Sequence, residues 1–139
     1  MSDIQTTHKA LLAPMRASMA DFEESTVRKD LSALIHPEAV IHMPHPFGDL
    51  TGPDALYEGC YRPLLNAMPD LERRDWIVMG GPDDQSGDWV GCGGHYFGTF
   101  VGPWLDIPPT GHLTHMRFHE FYRFENGKVV EIQSLWDIP

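Results

Sequence analysis

The sequence is poor in cysteine, with only Cys60 and Cys92, which lie far apart in the chain. This spacing matches no zinc motif and no redox pair, and two distant cysteines do not make a disulfide framework. The opening residues, MSDIQTTHK, contain no apolar segment of the kind found in a secretory signal peptide. We therefore predict a cytoplasmic protein with reduced thiols.

Basic side chains are also scarce, with 10 lysines and arginines against 20 aspartates and glutamates and a formal net charge of −10. Because nucleic acids and anionic membranes usually require a basic surface, we predict no nucleic-acid partner and no membrane partner. No apolar run approaches the roughly 20 residues of a membrane-spanning helix. Hydrophobic residues still form 42% of the 139 positions, which suffices for a single domain over residues 1–139.

The clearest structural pattern is a β-hairpin near the C-terminus, with strands predicted over 113–124 and 129–137 and a turn over 125–128. Asn126 and Gly127 indicate the turn, because both residues tolerate the positive φ of a type I′ turn. Side chains alternate along a strand, so we expect two distinct faces on the first one. One face contains Thr114, Met116, Phe118, Glu120, Tyr122 and Phe124. The other contains Leu113, His115, Arg117, His119, Phe121 and Arg123.

Glu120 is the only charged residue on its otherwise apolar face. A carboxylate in apolar surroundings is costly to ionise unless it is paired, so we expect Glu120 to exchange protons near neutral pH. We therefore predict that Glu120 is a catalytic general acid or base. The alternative is a buried structural carboxylate satisfied by an arginine or a tyrosine.

The remaining elements give an α+β order in which helices cover one face of a curved antiparallel or mixed sheet. Glycines within the strand over 89–101 predict bends that let the sheet curl into an open cone. A first helix over 8–24 has Pro14 in its first turn, so its regular part is predicted to begin near Ala13. Ser25 and Thr26 are predicted to cap a second helix through Ile35. Further predictions are strands over 39–43 and 71–79, a helix over 53–68, a polar turn over 80–88 and a loop over 102–111.

Three segments carry a family resemblance: His95-x-x-Gly98-x-Phe100, Ile-Pro-Pro-Thr-Gly at 107–111 and Phe-Tyr-Arg-Phe-Glu-Asn-Gly-Lys-Val-Val-Glu at 121–131. With the order of elements, they resemble SnoaL-like polyketide cyclases and ester cyclases of the nuclear transport factor 2-like, cystatin-like superfamily. The resemblance implies a conical half-barrel with a deep apolar pocket, a homodimer and no cofactor. It also implies a small hydrophobic carbonyl ligand, polyketide- or ketone-like. The chain departs from the family by inserting 103–106 before the Ile-Pro-Pro-Thr-Gly turn.

In the cyclases that the chain resembles, an acidic residue on the first hairpin strand performs acid/base chemistry with help from a histidine. The resemblance places Glu120 at that acidic position, and we expect His95, in a glycine-rich strand, to be the partner that can change charge near neutral pH. Asp137, at the end of the second hairpin strand, is a secondary catalytic candidate. The expected reaction is a cyclisation or an isomerisation.

Further residues are candidates for binding the substrate, although buried aromatic side chains more often form core. They are His42, His45, Tyr57, Tyr61, Trp76, Trp104, Phe118 and Trp136. Trp104 is favoured among them because it lies in the inserted loop, where a core role is harder to arrange. The histidines do not have ligand spacing, so we predict no metal site. We expect His115, Arg117 and His119 on the convex face, at a subunit interface or under a helix.

A second function remains open from the sequence, in which the same cone is a non-catalytic module. It would bind a small apolar ligand or mediate dimerisation, since this fold alone does not determine function. The enzyme predicts turnover that depends on Glu120, whereas the binding module predicts binding without turnover.

Overall fold

Three helical segments and a six-stranded curved sheet form the fold in a computed structural model that describes residues 2–83 and 87–139. The helices are α1 (Ser2–Ala20), α2 (Glu24–Leu34), and α3 (Gly52–Leu56), which continues through a π-helical turn (Tyr57–Tyr61) into α4 (Arg62–Ala67). The strands are β1 (Ile35–His42), β2 (Asp49–Thr51), β3 (Glu72–Asp83), β4 (Gly87–Thr99), β5 (Leu113–Glu125) and β6 (Lys128–Trp136). The predicted α+β class is confirmed. Within the described residues, no helix is both long and apolar enough to cross a membrane.

The sheet has the strand order β2-β1-β6-β5-β4-β3, so β2 and β3 lie at its two edges. Only the β1–β6 pair is parallel, and the other neighbours are antiparallel, as expected for a mixed sheet. Apolar side chains of the helices and of one sheet face form the core, including Leu12, Met19, Leu64, Met116 and Phe118, each at most 1% exposed. This face is the concave inner face of the cone.

The C-terminal hairpin has the predicted strands and the predicted alternation. Asn126 and Gly127 have φ values of 52° and 79°, as a type I′ turn requires. On β5, Met116, Phe118, Glu120, Tyr122 and Phe124 are all buried, while their neighbours in sequence point outward. The hairpin therefore directs Glu120 into the core.

The first two helices begin differently from the sequence prediction. Helix α1 begins at Ser2 and contains Pro14 in its interior, so the predicted start near Ala13 was wrong. Pro14 is solvent-exposed, and packing of the buried Leu12 and Met15 compensates for the hydrogen bond that proline removes.

The cap of α2 is Glu23, not the predicted Ser25 and Thr26. Its carboxylate accepts from the backbone N–H groups of Ser25 and Thr26 at 2.9 and 3.1 Å, and it also accepts from both hydroxyls. The Thr26 and Ser25 hydrogen bonds lower the pKa of Glu23 to about 2. The two predicted capping residues therefore act as donors to the residue that caps the helix.

Strand β3 runs past its predicted end at Met79 to Asp83. The predicted polar turn over 80–88 therefore overlaps two strands, and 84–86 lie outside the described residues. Between Asp75 and Ile77 the register against β4 shifts by one residue, which makes a bulge. The bulge brings the β3 backbone close to Gly94: a β-carbon at position 94 would lie 2.0 Å from the Arg74 carbonyl oxygen.

Gly94→Ala is expected to lower the free energy of unfolding by about 2 kcal/mol or more, because the methyl group meets rigid backbone of the adjacent strand. Urea unfolding measures the difference. Gly81→Ala is the matched control, since a β-carbon there meets nothing within 4 Å. Equal stability of the two variants would show that the bulge adapts to a side chain at position 94.

Candidate functional site

A cluster of six polar side chains lies in the core on the concave side of the sheet. We call this group the Glu120 cluster. Its members come from the π-helical turn and from strands β3 to β6: Tyr61, Arg73, Tyr96, Glu120, Tyr122 and Trp136, each at most 5% exposed. The alternation of the strands turns them inward, so charged and polar groups meet where the core is otherwise apolar.

Glu120 accepts hydrogen bonds on both of its carboxylate oxygens. Oε1 accepts from Arg73 Nη1 at 2.7 Å and from the Tyr122 hydroxyl. Oε2 accepts from the Tyr96 hydroxyl at 2.7 Å and from Trp136 Nε1 at 2.9 Å. A carboxylate has about four lone-pair positions, so these four donors occupy them.

Tyr61 makes a longer contact with Glu120 than the other hydrogen-bond donors of the cluster do. Its hydroxyl lies 2.8 Å from the Tyr96 hydroxyl and 3.5 Å from Oε2 of Glu120. Burial raises the pKa values of Tyr61, Tyr96 and Tyr122 well above their ordinary value. All three therefore stay protonated at neutral pH and can donate to an oxygen that gains negative charge.

A chain of alternating charges connects Glu120 with the surface. Arg73 contacts Glu120 on one side and Asp75 on the other, where Nη2 lies 3.1 Å from Oδ1. Asp75 in turn accepts from Nε of Arg16, a half-buried residue of α1, at 2.9 Å. Burial disfavours the Arg73 cation, but the charge of Glu120 and the adjacent tyrosines outweigh it, so the pKa of Arg73 lies well above its usual value. Glu120 therefore has a permanently charged partner.

Aromatic rings extend from the cluster to the inserted loop. Trp136 packs edge-on against Tyr61 and against Phe47, with ring centroids 5.6 Å apart in both pairs. Phe47 then lies 6.3 Å from Trp104, which is 2% exposed. On the other side, the Arg73 guanidinium lies 4.3 Å above the Phe118 ring. These rings occupy the interior of the cone and surround the cluster with apolar surface.

The structure brings together several of the residues predicted to form the site. Tyr61, Phe118 and Trp136 contact the Glu120 cluster or belong to it, and Trp104 connects to it through Phe47. Tyr57 is buried elsewhere: its hydroxyl donates to Glu24 at 2.9 Å, on the side of α2.

His95 does not reach Glu120. Its strand neighbour Tyr96 points inward, so His95 points to the outer face, where its ring lies 4.4 Å from that of Trp76. Burial, together with the charges of His115 and Arg117, lowers the pKa of His95. The predicted pairing of His95 with Glu120 was wrong, because alternation places the two side chains on opposite faces of the sheet. Trp76 lies on the same outer face and is 55% exposed.

The other predicted site residues lie near the surface. His42 Nδ1 lies 2.8 Å from Oδ1 of Asp49 on β2, and His45 is exposed in the following loop. Asp137 is exposed after β6, and its backbone N–H donates to the Arg117 carbonyl at 2.9 Å. These three residues are not part of the Glu120 cluster. Across 2–83 and 87–139, no group of three or more His, Cys, Asp or Glu side chains is arranged to hold a metal ion.

Sequence reasoning missed four site residues: Arg73, Tyr96, Tyr122 and Phe47. Arg73 lies in Glu-Arg-Arg-Asp, where four charged residues in succession hide the strand alternation. A signal was nonetheless present: a buried carboxylate requires a buried cation, and a strand arginine is the residue type that can supply one.

Comparisons with known proteins agree with this architecture. A family model for SnoaL-like polyketide cyclases matches residues 14–138. A proposed SnoaL-like polyketide cyclase from Jannaschia sp. CCS1 is 19% identical and superposes with a TM-score of 0.80, over 96% of this chain and 88% of that one. IdmH, a proposed polyketide cyclase from Streptomyces antibioticus, is 22% identical and superposes with a TM-score of 0.73, over 94% of this chain and 91% of that one. AclR, a proposed hydroxylase from Streptomyces galilaeus, is 23% identical and superposes with a TM-score of 0.73, over 96% of this chain and 80% of that one.

No curated protein sequence matches this chain. At these identities the solved structures show the fold, while the family model extends over most of the sequence. From that match, the chain belongs to the SnoaL-like polyketide cyclase family.

Proposed function

We propose that the protein is a cofactor-independent cyclase or isomerase that performs acid/base chemistry on a hydrophobic, polyketide- or ketone-like carbonyl compound. The observation that carries this proposal is the carboxylate of Glu120 beside protonated tyrosine hydroxyls in an apolar interior. A base and hydroxyl donors held in such surroundings are the two groups that enolisation requires. Two of the related structures are themselves proposed polyketide cyclases, which supports the same chemistry.

In the proposed reaction, Oε2 of Glu120 takes a proton from the carbon next to the substrate carbonyl. The electrons of the broken C–H bond form a carbon–carbon double bond, and the carbonyl electrons move to oxygen. The hydroxyls of Tyr61 and Tyr96 donate to this enolate oxygen. When a double bond is conjugated with the enolate, return of the proton from Glu120 to the far carbon of that system completes an isomerisation. When the enolate carbon attacks a second carbonyl, a ring closes, the first carbonyl re-forms, and Glu120 returns its proton to the new alkoxide oxygen.

Substrate entry requires the interior to open, since Glu120 is 1% exposed and four donors occupy its oxygens. Tyr61 makes the longest contact with the carboxylate, at 3.5 Å. Trp136 lies between the carboxylate and Phe47, on the side of the inserted loop. We therefore propose that the substrate enters beside Phe47 and that loop, and that the side chains of Trp136 and Tyr61 move to admit it.

The saturated hydrogen bonding of Glu120 also favours a second candidate function, the non-catalytic binding module. A carboxylate with every lone pair occupied and a permanent arginine partner needs no chemical role to be stable in the core. In this case the cone binds a small apolar ligand, and the only role of Glu120 is to hold the surrounding side chains in position.

Deuterium exchange distinguishes the two candidates. The protein is incubated in D₂O with β-keto esters and cyclic or aromatic ketones, and loss of the α-proton signal is followed by NMR. Exchange with wild type that disappears in Glu120→Gln is the result expected for the enzyme. Ligand binding without exchange in either protein would contradict the proposal and support the binding module.

We also propose that two copies of the chain pair through the outer face of the sheet. A shallow depression on this face is lined by Ile77, Met79, Gly91, Gly93, His119 and Phe121. Ile77, Met79 and Phe121 are 50%, 62% and 44% exposed, with Trp76 and Leu135 also exposed on the sheet. Monomeric proteins seldom expose a contiguous apolar patch of this kind, and a two-fold axis across it would bury the same side chains of both copies.

Met79→Glu is expected to convert the dimer to a monomer, because pairing would bury two uncompensated carboxylates. Light scattering after size exclusion measures the mass. Leu11→Glu is the control and should leave the mass unchanged. Leu11 is 38% exposed on helix α1, which packs on the opposite face of the sheet from the proposed interface. A wild-type protein that is monomeric at high concentration would contradict the pairing.

A further inference from the structure

Trp104 contains a hydrogen-bond donor that is unused in this structure. Among the buried side-chain nitrogen and oxygen atoms that the structure describes, Nε1 of Trp104 is the one without a hydrogen-bond partner. The residue is 2% exposed, so bulk solvent does not reach the donor. The other buried indole, that of Trp136, donates to Glu120. Because native proteins rarely leave a buried donor unpaired, the Trp104 N–H requires an explanation.

The loop between β4 and β5 packs this indole against Phe47. Trp104 and Ile107 exchange backbone hydrogen bonds of 3.1 and 2.7 Å across a tight turn. Leu105 and Asp106 in the turn have φ values of 51° and 65°, which are uncommon for residues other than glycine. Between 101 and 111, Trp104 is the one fully buried side chain. The loop is therefore held against the cone by the ring whose N–H has no partner.

The surroundings of the indole define what could accept from it. Phe47 lies 6.3 Å from Trp104, and Phe47 packs in turn on Trp136 at 5.6 Å. These neighbours are aromatic rings, which favour a flat apolar ligand. Two ring-to-ring steps separate Trp104 from the residue that contacts Glu120, a span that suits a compound of two or three fused rings.

We propose that the Trp104 N–H is a specificity determinant that donates to an oxygen at the distal end of a flat aromatic carbonyl compound. Such a ligand has its reacting carbonyl at the Glu120 cluster and a second oxygen acceptor at the inserted loop. This inference rests on the proposed function, because that function places the reacting carbonyl at Glu120. A ligand without the distal oxygen leaves the donor unpaired and binds more weakly.

Two probes that differ only at the distal group test this inference: 2,6-diacetylnaphthalene and 2-acetyl-6-ethylnaphthalene. Calorimetry should show that wild type binds the diacetyl compound about tenfold more tightly, the preference expected for one hydrogen bond. Trp104→Phe keeps an aromatic ring but removes the N–H, so the preference should disappear. In NMR spectra of wild type, the indole N–H signal that is missing from Trp104→Phe should move downfield with the diacetyl compound only.

Trp76→Phe is the matched control, because Trp76 is 55% exposed on the outer face of the sheet and should leave the preference unchanged. A preference that survives in Trp104→Phe, no preference in wild type, or no binding of either probe would overturn the inference. Binding needs no turnover, so the two proposals fail separately. If α-deuterium exchange depended on Glu120 but wild type did not prefer the diacetyl probe, only the role of Trp104 would be refuted. If wild type preferred the diacetyl probe but catalysed no exchange, only the enzymatic function would be refuted.

Discussion

Arg73→Met is expected to lower the free energy of unfolding by about 3–5 kcal/mol, the largest stability effect that the structure implies. Arg73 is 1% exposed, and its guanidinium lies between two carboxylates, Glu120 at 2.7 Å and Asp75 at 3.1 Å. Methionine fills much of the same volume, so the loss comes mainly from leaving Glu120 as an unpaired buried charge. Urea unfolding, followed by circular dichroism, measures the difference.

A double-mutant cycle identifies the origin of that loss. Glu120→Gln alone is expected to destabilise less than Arg73→Met, because Arg73 keeps its contact with Asp75. The combined variant should be destabilised by much less than the sum of the two, since neither partner then remains as an unpaired ion. Arg74→Met is the matched control: Arg74 pairs with Glu72 on the surface, where such contacts contribute about 1 kcal/mol or less. Additive effects of the Arg73 and Glu120 substitutions would contradict the buried pair.

The position of Glu120 could be predicted because it depends on local rules alone. Alternation along β5 determines the face, and the Asn126-Gly127 turn determines where the hairpin reverses. The number and order of the elements indicate the fold class in the same way, and the resemblance of 121–131 gives the family. None of these steps requires knowing which strands are neighbours.

The partners of Glu120 depend on contacts between distant parts of the chain, which the sequence does not show. Arg73 is 47 positions away, and the two meet only because β3, β4 and β5 lie side by side. The choice of His95 failed for a local reason, the direction of its side chain within β4. A glycine-rich strand offers little apolar alternation, so the inward positions of Cys92 and Tyr96 were not evident from the sequence. Trp76 is exposed because Arg73 and Asp75 point inward, and the bulge in β3 places Ile77 on the same outer face, a feature of pairing and not of composition.

The interior is fuller than a pocket inferred from family resemblance suggests, and this changes how Glu120 must be tested. In the structure, Glu120→Gln removes the charge that balances Arg73. Loss of activity in this variant could therefore reflect loosening of the core. A convincing test needs a variant that disturbs the same hydrogen-bond network and keeps the base.

Glu120→Gln is expected to lower the rate of α-deuterium exchange by about 10²–10⁴-fold, the usual contribution of a general base. An amide keeps the size of the side chain but cannot take a proton from carbon. The rate is measured by NMR at a temperature where circular dichroism shows the variant to be folded. The substrate is the ketone or β-keto ester that wild type exchanges fastest.

Tyr122→Phe supplies the control that the hydrogen-bond network requires. It removes a donor from Oε1, the oxygen that also accepts from Arg73, and leaves Oε2 and its donors in place. Exchange should then fall by no more than about tenfold, although the variant loses a buried hydrogen bond. If both variants lost exchange to the same degree, the loss would come from loosening of the core. Exchange that persists in Glu120→Gln would instead exclude the carboxylate as the base and leave Glu120 a structural role beside Arg73.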